Sequence, residues 1–321
     1  MSRVAILGAG AFGTALAVAW AQAGRPVSLI VRDPGEAVRI DAARENARRL
    51  PGARLPEGVR VTVEARAVAE AAAVVLTVPM QRLSAALAGV PDLGTAPLVA
   101  ACKGVDLATL KGPTAILAEA RAAGPHAILT GPSFAADIAR GLPTALTLAC
   151  ADDDAGAALQ SLLSTPVLRL YRMADVTGAE LGGALKNVVA IAAGVTIGAG
   201  LGDSARAALM TRGYAEMVRL ALALGARAET LAGLSGLGDL VLTCTSDQSR
   251  NFRYGLALGR GETFGEEVTV EGAATSRAVA RLASGRGIDM PITATVAALA
   301  EGRITPQNAM AALMARPLKE E

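Results

Sequence analysis

Lysine is scarce in this chain. Of 31 basic residues only four are Lys, at 103, 111, 186 and 319, and the other 27 are Arg. A sequence that so favours Arg keeps Lys where a guanidinium cannot substitute, because an amine can titrate when its pKa is lowered and a guanidinium cannot. Lys111 and Lys319 lie among polar residues and read as surface. Lys103 follows the apolar residues 99–102, and Lys186 follows Leu181-Gly182-Gly183-Ala184-Leu185, so these two are the candidate proton carriers. A snorkelling helix residue is the other reading of Lys186. The single histidine, His126, follows Gly124-Pro125 at a position suited to a turn, which argues against a histidine acid–base. Asp239, ahead of Leu240-Val241-Leu242, is either a helix cap or a site carboxylate, and spacing leaves both open. Ser249-Arg250-Asn251 could hold a phosphate through a charge-assisted guanidinium and two neutral donors, or could simply open a helix.

A second chemical signature stands near the start. Gly8-Ala9-Gly10-Ala11-Phe12-Gly13 matches G-x-G-x-x-G after a short apolar run and before a helix-like stretch. In such a motif the first glycine permits a tight turn, the second lets the backbone approach a pyrophosphate, and the third lets helix and strand pack closely. The helix N-terminus then offers unpaired N–H groups to the phosphates. Asp33 follows Gly13 by 20 residues, where a carboxylate that binds the ribose 2′-OH belongs. Arg32 beside it suits a 2′-phosphate, so both NAD(H) and NADP(H) are open, as is a solvated strand-end charge for Arg32.

These residues need strands and helices to position them. Apolar runs predict strands at 3–7, 27–31, 59–63, 73–78, 98–101, 127–129, 144–149 and 167–171. Helical stretches such as 35–48 and 81–87 lie between, and alternation of this kind implies βαβ units in a mostly parallel, doubly wound sheet. Pro79, Lys103-Gly104 and Gly131-Pro132-Ser133-Phe134-Ala135 then follow strand carboxyl ends, where an open α/β sheet binds ligands. Asp152-Asp153-Asp154 suits a helix N-terminus. Beyond about residue 177 the strand signal fades. A helix is expected over 204–224, capped by Asp203 or Ser204, and a last one from Thr305-Pro306. The reading is an α/β Rossmann domain over residues 1–176 and an all-α domain over 177–321.

Composition bounds the function. With 52% hydrophobic residues, 2% aromatic residues and a net charge of +2, the chain lacks the aromatic platform or basic face that nucleic-acid binding needs. Cys102, Cys150 and Cys244 are odd in number and far apart, which suits buried thiols in a reducing compartment rather than disulfides or zinc. The uncharged run 4–24 imitates a signal peptide, but its glycines make strand, turn and helix the better parse. The run 188–202 is too short and glycine-rich to span a bilayer. A cytoplasmic protein with no membrane span, no metal and no nucleic acid is expected. The oligomeric state stays open, a homodimer among the options.

Taken together, the motifs resemble those of bacterial-type NAD(P)-dependent glycerol-3-phosphate dehydrogenases. The likeness runs from GAGAFGTALA at Gly8 through KG at Lys103 and GPSFA at Gly131. It continues in GGALKNVVAI around Lys186, TRGYAEM at Thr211, GLGDLVLTCTSDQSRN ending at Asn251, and VEG at Val270. It implies reversible hydride transfer between NAD(P)H and dihydroxyacetone phosphate, giving sn-glycerol 3-phosphate for phospholipid synthesis. Lys186 would be the proton donor or acceptor. Lys103, Gly131, Ser133, Asp239, Ser249, Arg250 and Asn251 would bind the substrate, with Asn187 adjacent. Alongside Gly8, Gly10 and Gly13, the residues Ala11, Phe12, Arg32, Asp33, Lys103, Ala135, Arg250 and Glu271 would contact the cofactor. Arg49 stands where the family often has Tyr, and Ser204 where it often has Asn, which touches the adenosine side and a crevice hydrogen bond. Lys103 and Arg250 would depress the Lys186 pKa by like-charge repulsion. Another Rossmann-plus-helical reductase, such as a β-hydroxyacid dehydrogenase, and a non-catalytic nicotinamide sensor are the competing readings.

Overall fold

Short β-branched runs bounded by Gly, Pro or Asp become strands, and the Ala-rich stretches between them become helices. The computed structural model describes residues 2–265 and 268–314, so Lys319 lies outside the described residues. The chain divides into two compact units, Met1–Lys103 with Lys111–Glu180, and Gly104–Leu110 with Leu181–Glu321.

The first unit alternates strand and helix. In order it holds β1 (Val4–Leu7), α1 (Ala11–Gln22), β2 (Val27–Ile30), α2 (Pro34–Ala43), β3 (Val59–Thr62), α3 (Arg66–Ala69), β4 (Ala73–Leu76) and α4 (Leu83–Ala88). Then come β5 (Leu98–Ala100), α5 (Pro113–Ala120), β6 (His126–Thr130), α6 (Ala135–Ala139), β7 (Thr144–Cys150), α7 (Asp153–Leu163) and β8 (Leu168–Met173). All eight expected strands form one sheet, ordered β3-β2-β1-β4-β5-β6-β7-β8. Every pair is parallel except β6 with β7. The order reverses between β1 and β4, the switch point where a doubly wound sheet opens a crevice. Two apolar clusters flank the strands, one around Leu16, Trp20, Leu29 and Leu129, the other around Leu76, Leu83, Leu117 and Ile128. Trp20 Nε1 donates to the Leu163 carbonyl at 2.7 Å and ties α1 to α7.

Some local expectations shift. The helix expected over 35–48 stops at Ala43, because Arg44 takes a left-handed conformation (φ 49°) and its guanidinium donates to the carbonyls of Pro56 and Val59. His126 opens β6, one residue ahead of the strand expected over 127–129, and burial pushes its pKa down. Asp152 accepts from the Ala155 amide as the cap of α7, as the acidic run suggests. All three cysteines are buried free thiols.

Every regular element of the second unit among its described residues is a helix. Helix α8 (Val176–Gly198) enters it, and α9 (Gly202–Ala223), α10 (Ala228–Ala232), a π-helical turn (Leu234–Gly238), α11 (Asp239–Cys244) and α12 (Arg250–Arg260) follow. The last three helices are α13 (Glu271–Ser284), α14 (Pro291–Ala300) and α15 (Pro306–Met314). Helix α8 is apolar and long enough to cross a membrane, yet 83% of its most apolar window is buried, which makes it a core helix. Helix α12 crosses it at backbone distance: a Cβ at Gly194 would lie 2.1 Å from the Phe252 carbonyl, and one at Gly255 2.0 Å from that of Ile191. Neither Asp203 nor Ser204 caps α9. It starts earlier, at Gly202 after Leu201, and Asp203 pairs with Arg206 within the first turn. Thr305 does cap α15, accepting from the Asn308 amide. The buried Glu216 caps α14 from a distance, accepting from the Ile292 and Thr293 amides at 2.6 and 3.1 Å.

One carboxyl gives the first unit a pH signature. Glu180 accepts from the Thr114 amide at 2.6 Å, at the start of α5, and burial pushes its pKa up from 4.5 to about 6 against the pull of Thr114. A raised folded pKa means that the native state binds more protons, so the stability it contributes is complete below pH 4.5 and fades as pH rises through about 6. Glu180→Gln keeps an acceptor for Thr114 but does not titrate. Urea unfolding across this range should show wild-type stability falling relative to the variant, and a constant difference would count against the raised pKa.

Candidate active site

In the first unit, β1 runs into the glycine turn and on into α1. Gly8 has φ +116°, and a Cβ there would press within 3.0 Å of Val78 Cγ1. A Cβ at Gly13 would lie 2.2 Å from the Gly8 carbonyl, so only glycine lets helix and strand approach this closely. Gly10 differs: a Cβ there would meet nothing nearer than the Thr77 carbonyl at 4.0 Å. It caps α1 with no side-chain hydrogen bond, so the first amides of the helix, at Ala11 and Phe12, are left to a ligand. An open cradle of unpaired donors fits the pyrophosphate of a nicotinamide cofactor.

Around this turn the other expected cofactor residues hold strand ends and loops. Arg32 and Asp33 follow β2 and are exposed. Asp33 Oδ1 accepts from the Glu36 amide at 2.6 Å, so one carboxylate oxygen caps α2. Arg49 is exposed in the loop beyond α2. Past β5, Lys103 Nζ donates to the Gly131 carbonyl at 3.1 Å, and Ser133 Oγ donates to the same oxygen at 3.1 Å. Gly131 has φ +135°, and Ala135 begins α6. The structure thus brings Lys103, Gly131 and Ser133 together. Lys111 is exposed and ion-paired with Glu119.

In the second unit, Lys186 projects from α8 and is 7% exposed. Its ammonium lies 3.0 Å from Asp239 Oδ1 and donates to Thr243 Oγ1 at 2.6 Å. Thr243 in turn donates to Asp239 Oδ1 at 3.2 Å. Asp239 and Thr243 are one helical turn apart on α11 and so share a face. Asp239 therefore caps no helix and is the buried partner of Lys186, and Lys186 does not snorkel. The charge that contacts Lys186 directly is an acid, which stabilises the ammonium instead of repelling it. Thr243 escaped the sequence reading; the signal that could have found it is its i+4 spacing from Asp239. The neighbouring Cys244 thiol is pushed up to about 12 by burial, with Lys186 pulling the other way, so it stays protonated.

The polar cluster ahead of α12 is also partly structural. Ser249 Oγ caps the helix by accepting from the Phe252 amide at 3.1 Å. Asn251 donates to Asn187 Oδ1 at 2.8 Å and accepts from the Gly272 amide at 3.0 Å, which ties α12 to α8 and to the start of α13 beside Glu271. Arg250 is the exposed member of the three. A lysine held by a carboxylate is equipped to protonate a substrate oxygen, and an exposed arginine to bind an anionic group.

Models of two family regions match this chain: the NAD-dependent glycerol-3-phosphate dehydrogenase N-terminus over residues 3–156 and its C-terminus over 175–311. A protein named glycerol-3-phosphate dehydrogenase [NAD(P)+] from Cereibacter sphaeroides is 63% identical over 319 residues, covering 99% of this chain and all of that one. The chain belongs to the NAD(P)-dependent glycerol-3-phosphate dehydrogenase family. The Paracoccus denitrificans relative of the same name is 62% identical over 99% of each chain. The solved glycerol-3-phosphate dehydrogenase of Coxiella burnetii superposes with a TM-score of 0.93 at 35% identity, covering 98% of this chain and 99% of that one. Membership decides against the β-hydroxyacid dehydrogenase and sensor readings.

For a dehydrogenase of this family the lysine cluster makes a sharp test. Lys186→Met should lower kcat by roughly 10²–10⁴-fold, the usual worth of a positioned acid–base, with cofactor affinity little changed. Thr243→Val keeps the charge and removes one hydrogen bond, so its kcat should fall by only about tenfold. Near-wild-type turnover in Lys186→Met would refute the role.

Proposed function

We propose that this chain reduces dihydroxyacetone phosphate to sn-glycerol 3-phosphate with Lys186 as the proton donor, in the cytoplasm, in supply of glycerophospholipid synthesis. The observation that carries the assignment is the Lys186 ammonium held between Asp239 Oδ1 and Thr243 Oγ1 in a chain of this family. The first domain, residues 1–176, binds NAD(P)H through Gly8, Gly10, Ala11, Phe12 and Gly13, with Arg32, Asp33, Arg49, Lys103 and Ala135 beyond the turn. The second, 177–321, adds Arg250 and Glu271 on the cofactor side.

Bound reduced nicotinamide supplies the hydride. As negative charge develops on the carbonyl oxygen at C2, Lys186 donates its proton there, and Asp239 keeps the lysine charged until then. In the reverse direction the neutral amine takes the proton back. Arg250 holds the phosphate with charge-assisted hydrogen bonds. Ser249 can add a donor, since a hydroxyl that accepts from a backbone amide still has its own proton. Asn187 and Asn251 fix the floor of this subsite, and Lys103, Gly131 and Ser133 complete the substrate contacts.

NADPH is the preferred cofactor in this proposal, with NADH also used. Asp33 repels a 2′-phosphate only as far as its charge faces it, and its bond to the Glu36 amide turns one oxygen into the helix. The Arg32 guanidinium is exposed and suited to a bidentate grip on phosphate.

Two measurements test this reading. Purified protein should oxidise NADPH with dihydroxyacetone phosphate and far more slowly with unphosphorylated dihydroxyacetone, and Arg250→Ala should narrow that gap by raising KM for the phosphorylated ketone. Equal rates with both ketones would sink the substrate assignment. On the cofactor side, Arg32→Ala should raise KM for NADPH and leave that for NADH nearly unchanged. Asp33→Asn, which keeps an acceptor for the α2 cap, should raise KM for NADH. An equal loss for both cofactors in Arg32→Ala would show that Arg32 does not read the 2′ position.

A further inference from the structure

We infer that Asn46 and Thr77 are positioning residues that aim the amides of the glycine turn at the cofactor pyrophosphate. The inference rests on the cofactor placement proposed above. Thr77 Oγ1 donates to the Gly8 carbonyl at 2.6 Å, and Asn46 Nδ2 donates to the Ala9 carbonyl at 2.9 Å. Two successive carbonyls of the turn are therefore each held by a side chain. In a trans peptide the C=O and the following N–H point in opposite directions. Pinning Gly8 O onto Thr77 turns the Ala9 N–H away from Thr77, and pinning Ala9 O onto Asn46 turns the Gly10 N–H away from Asn46.

The turn needs such clamps because of its glycines. Each peptide of the turn has a glycine on one side, Gly8 before Ala9 and Gly10 after it, and glycine tolerates positive and negative φ alike, which lowers the steric cost of rotation. Rotation of the Ala9–Gly10 peptide would present a carbonyl, which repels phosphate, in place of the N–H that attracts it. The same freedom that lets the backbone approach the ligand would blur the binding site if nothing restrained it.

The burial of Asn46 supports a role as donor. It is 1% exposed, and its second amide proton goes to Thr14 Oγ1 at 2.9 Å in α1. Ala9 O can only accept, which fixes the amide orientation with nitrogen toward the turn. The other end, Oδ1, is buried and finds no partner among the described residues. An apolar side chain would fill the space without leaving an unsatisfied acceptor, so the N–H groups are what this position needs. The loop around Asn46 is itself held: its carbonyl accepts from the amides of Arg49 and Leu50, and Glu45 bridges to Arg54. Neither clamp is visible in the motif, because Asn46 lies 37 residues and Thr77 69 residues from the carbonyl it holds.

The test is calorimetric titration with NADPH and with adenosine 2′-monophosphate, which lacks the pyrophosphate, alongside thermal unfolding of the cofactor-free protein. Asn46→Leu and Thr77→Val should each weaken NADPH binding by about tenfold or more, as loss of one aimed charge-assisted bond would. Both should bind adenosine 2′-monophosphate as the wild type does and keep kcat at saturating NADPH within about twofold, since a misaimed turn costs binding and not the chemical step. Thr14→Val removes only the other partner of Asn46, so it should lower Tm and leave NADPH affinity intact. If Asn46→Leu does not fold, Thr77→Val decides alone. Wild-type NADPH affinity in the folded variants overturns the proposal, as does a loss in all three that tracks Tm. Failure of the wild type to bind NADPH overturns the cofactor placement and this inference with it.

Discussion

An ammonium group taken out of water must be paired, and in the helical unit that requirement organises everything around Lys186. Moving an isolated ion into a protein interior costs several kcal/mol even after relaxation. Lys186 is 7% exposed and its partner Asp239 1%, so neither would be stable as an ion without the other. The pair forces α11 against α8 at one place. The π-helical turn ahead of α11 packs closely on α8 as well, for a Cβ at Gly182 would lie 2.6 Å from the Ser235 carbonyl. A similar demand runs through Asn187 and Asn251, where the Asn251 amide nitrogen donates to Asn187 Oδ1 as α12 crosses α8 at its glycines. Buried pairs of this kind add little net stability against an apolar core. In the proposed reaction the lysine pair places a proton.

The sheet-containing unit meets an opposite electrostatic need with a different device. Its ligand is anionic, and it answers with dipoles: backbone amides at a helix N-terminus, left uncapped by any side chain. Dipoles need direction more than they need pairing, so the turn is surrounded by hydrogen bonds to its carbonyls and not by counter-charges. Arg32 and Asp33 lie further out, at a strand end in solvent, where charges can discriminate between similar ligands without having to be buried. Asp33 also caps α2 through one carboxylate oxygen, which leaves the other for the ribose in the proposed cofactor placement.

This division explains what could be read from the chain. The strands, the glycine turn and the Asp152 and Thr305 caps rest on neighbours within a few residues, and local patterns announce them. The partners of buried polar groups do not. Thr243 lies 57 residues from Lys186, Glu216 caps a helix 76 residues further on, and Asn46 reaches back to a turn 37 residues before it. No periodicity encodes such distances, and only the resemblance to a family joined Lys186 to Asp239 in advance. Local rules also mislead where two apply at once: Asp203 has the right side chain for a cap, but an i, i+3 arginine claims it. The segment Gly104–Leu110 carries no signal that it belongs with the helices.

The scarcity of lysine nevertheless points to a position with a distinctive environment, which a comparison of Lys186 with Cys244 makes plain. Lys186 and Cys244 share one buried neighbourhood and both could in principle act as nucleophile or proton carrier. Burial opposes the charged form of each: the thiolate as much as the ammonium. Only the ammonium receives a compensating partner in direct contact, Asp239, and that same carboxylate works against a thiolate. The thiol therefore stays protonated, while the ammonium keeps a counter-charge in direct contact. An arginine at position 186 would satisfy Asp239 equally well and would never release its proton. A chain that uses Arg almost everywhere must make an exception there, and composition alone can reveal that exception.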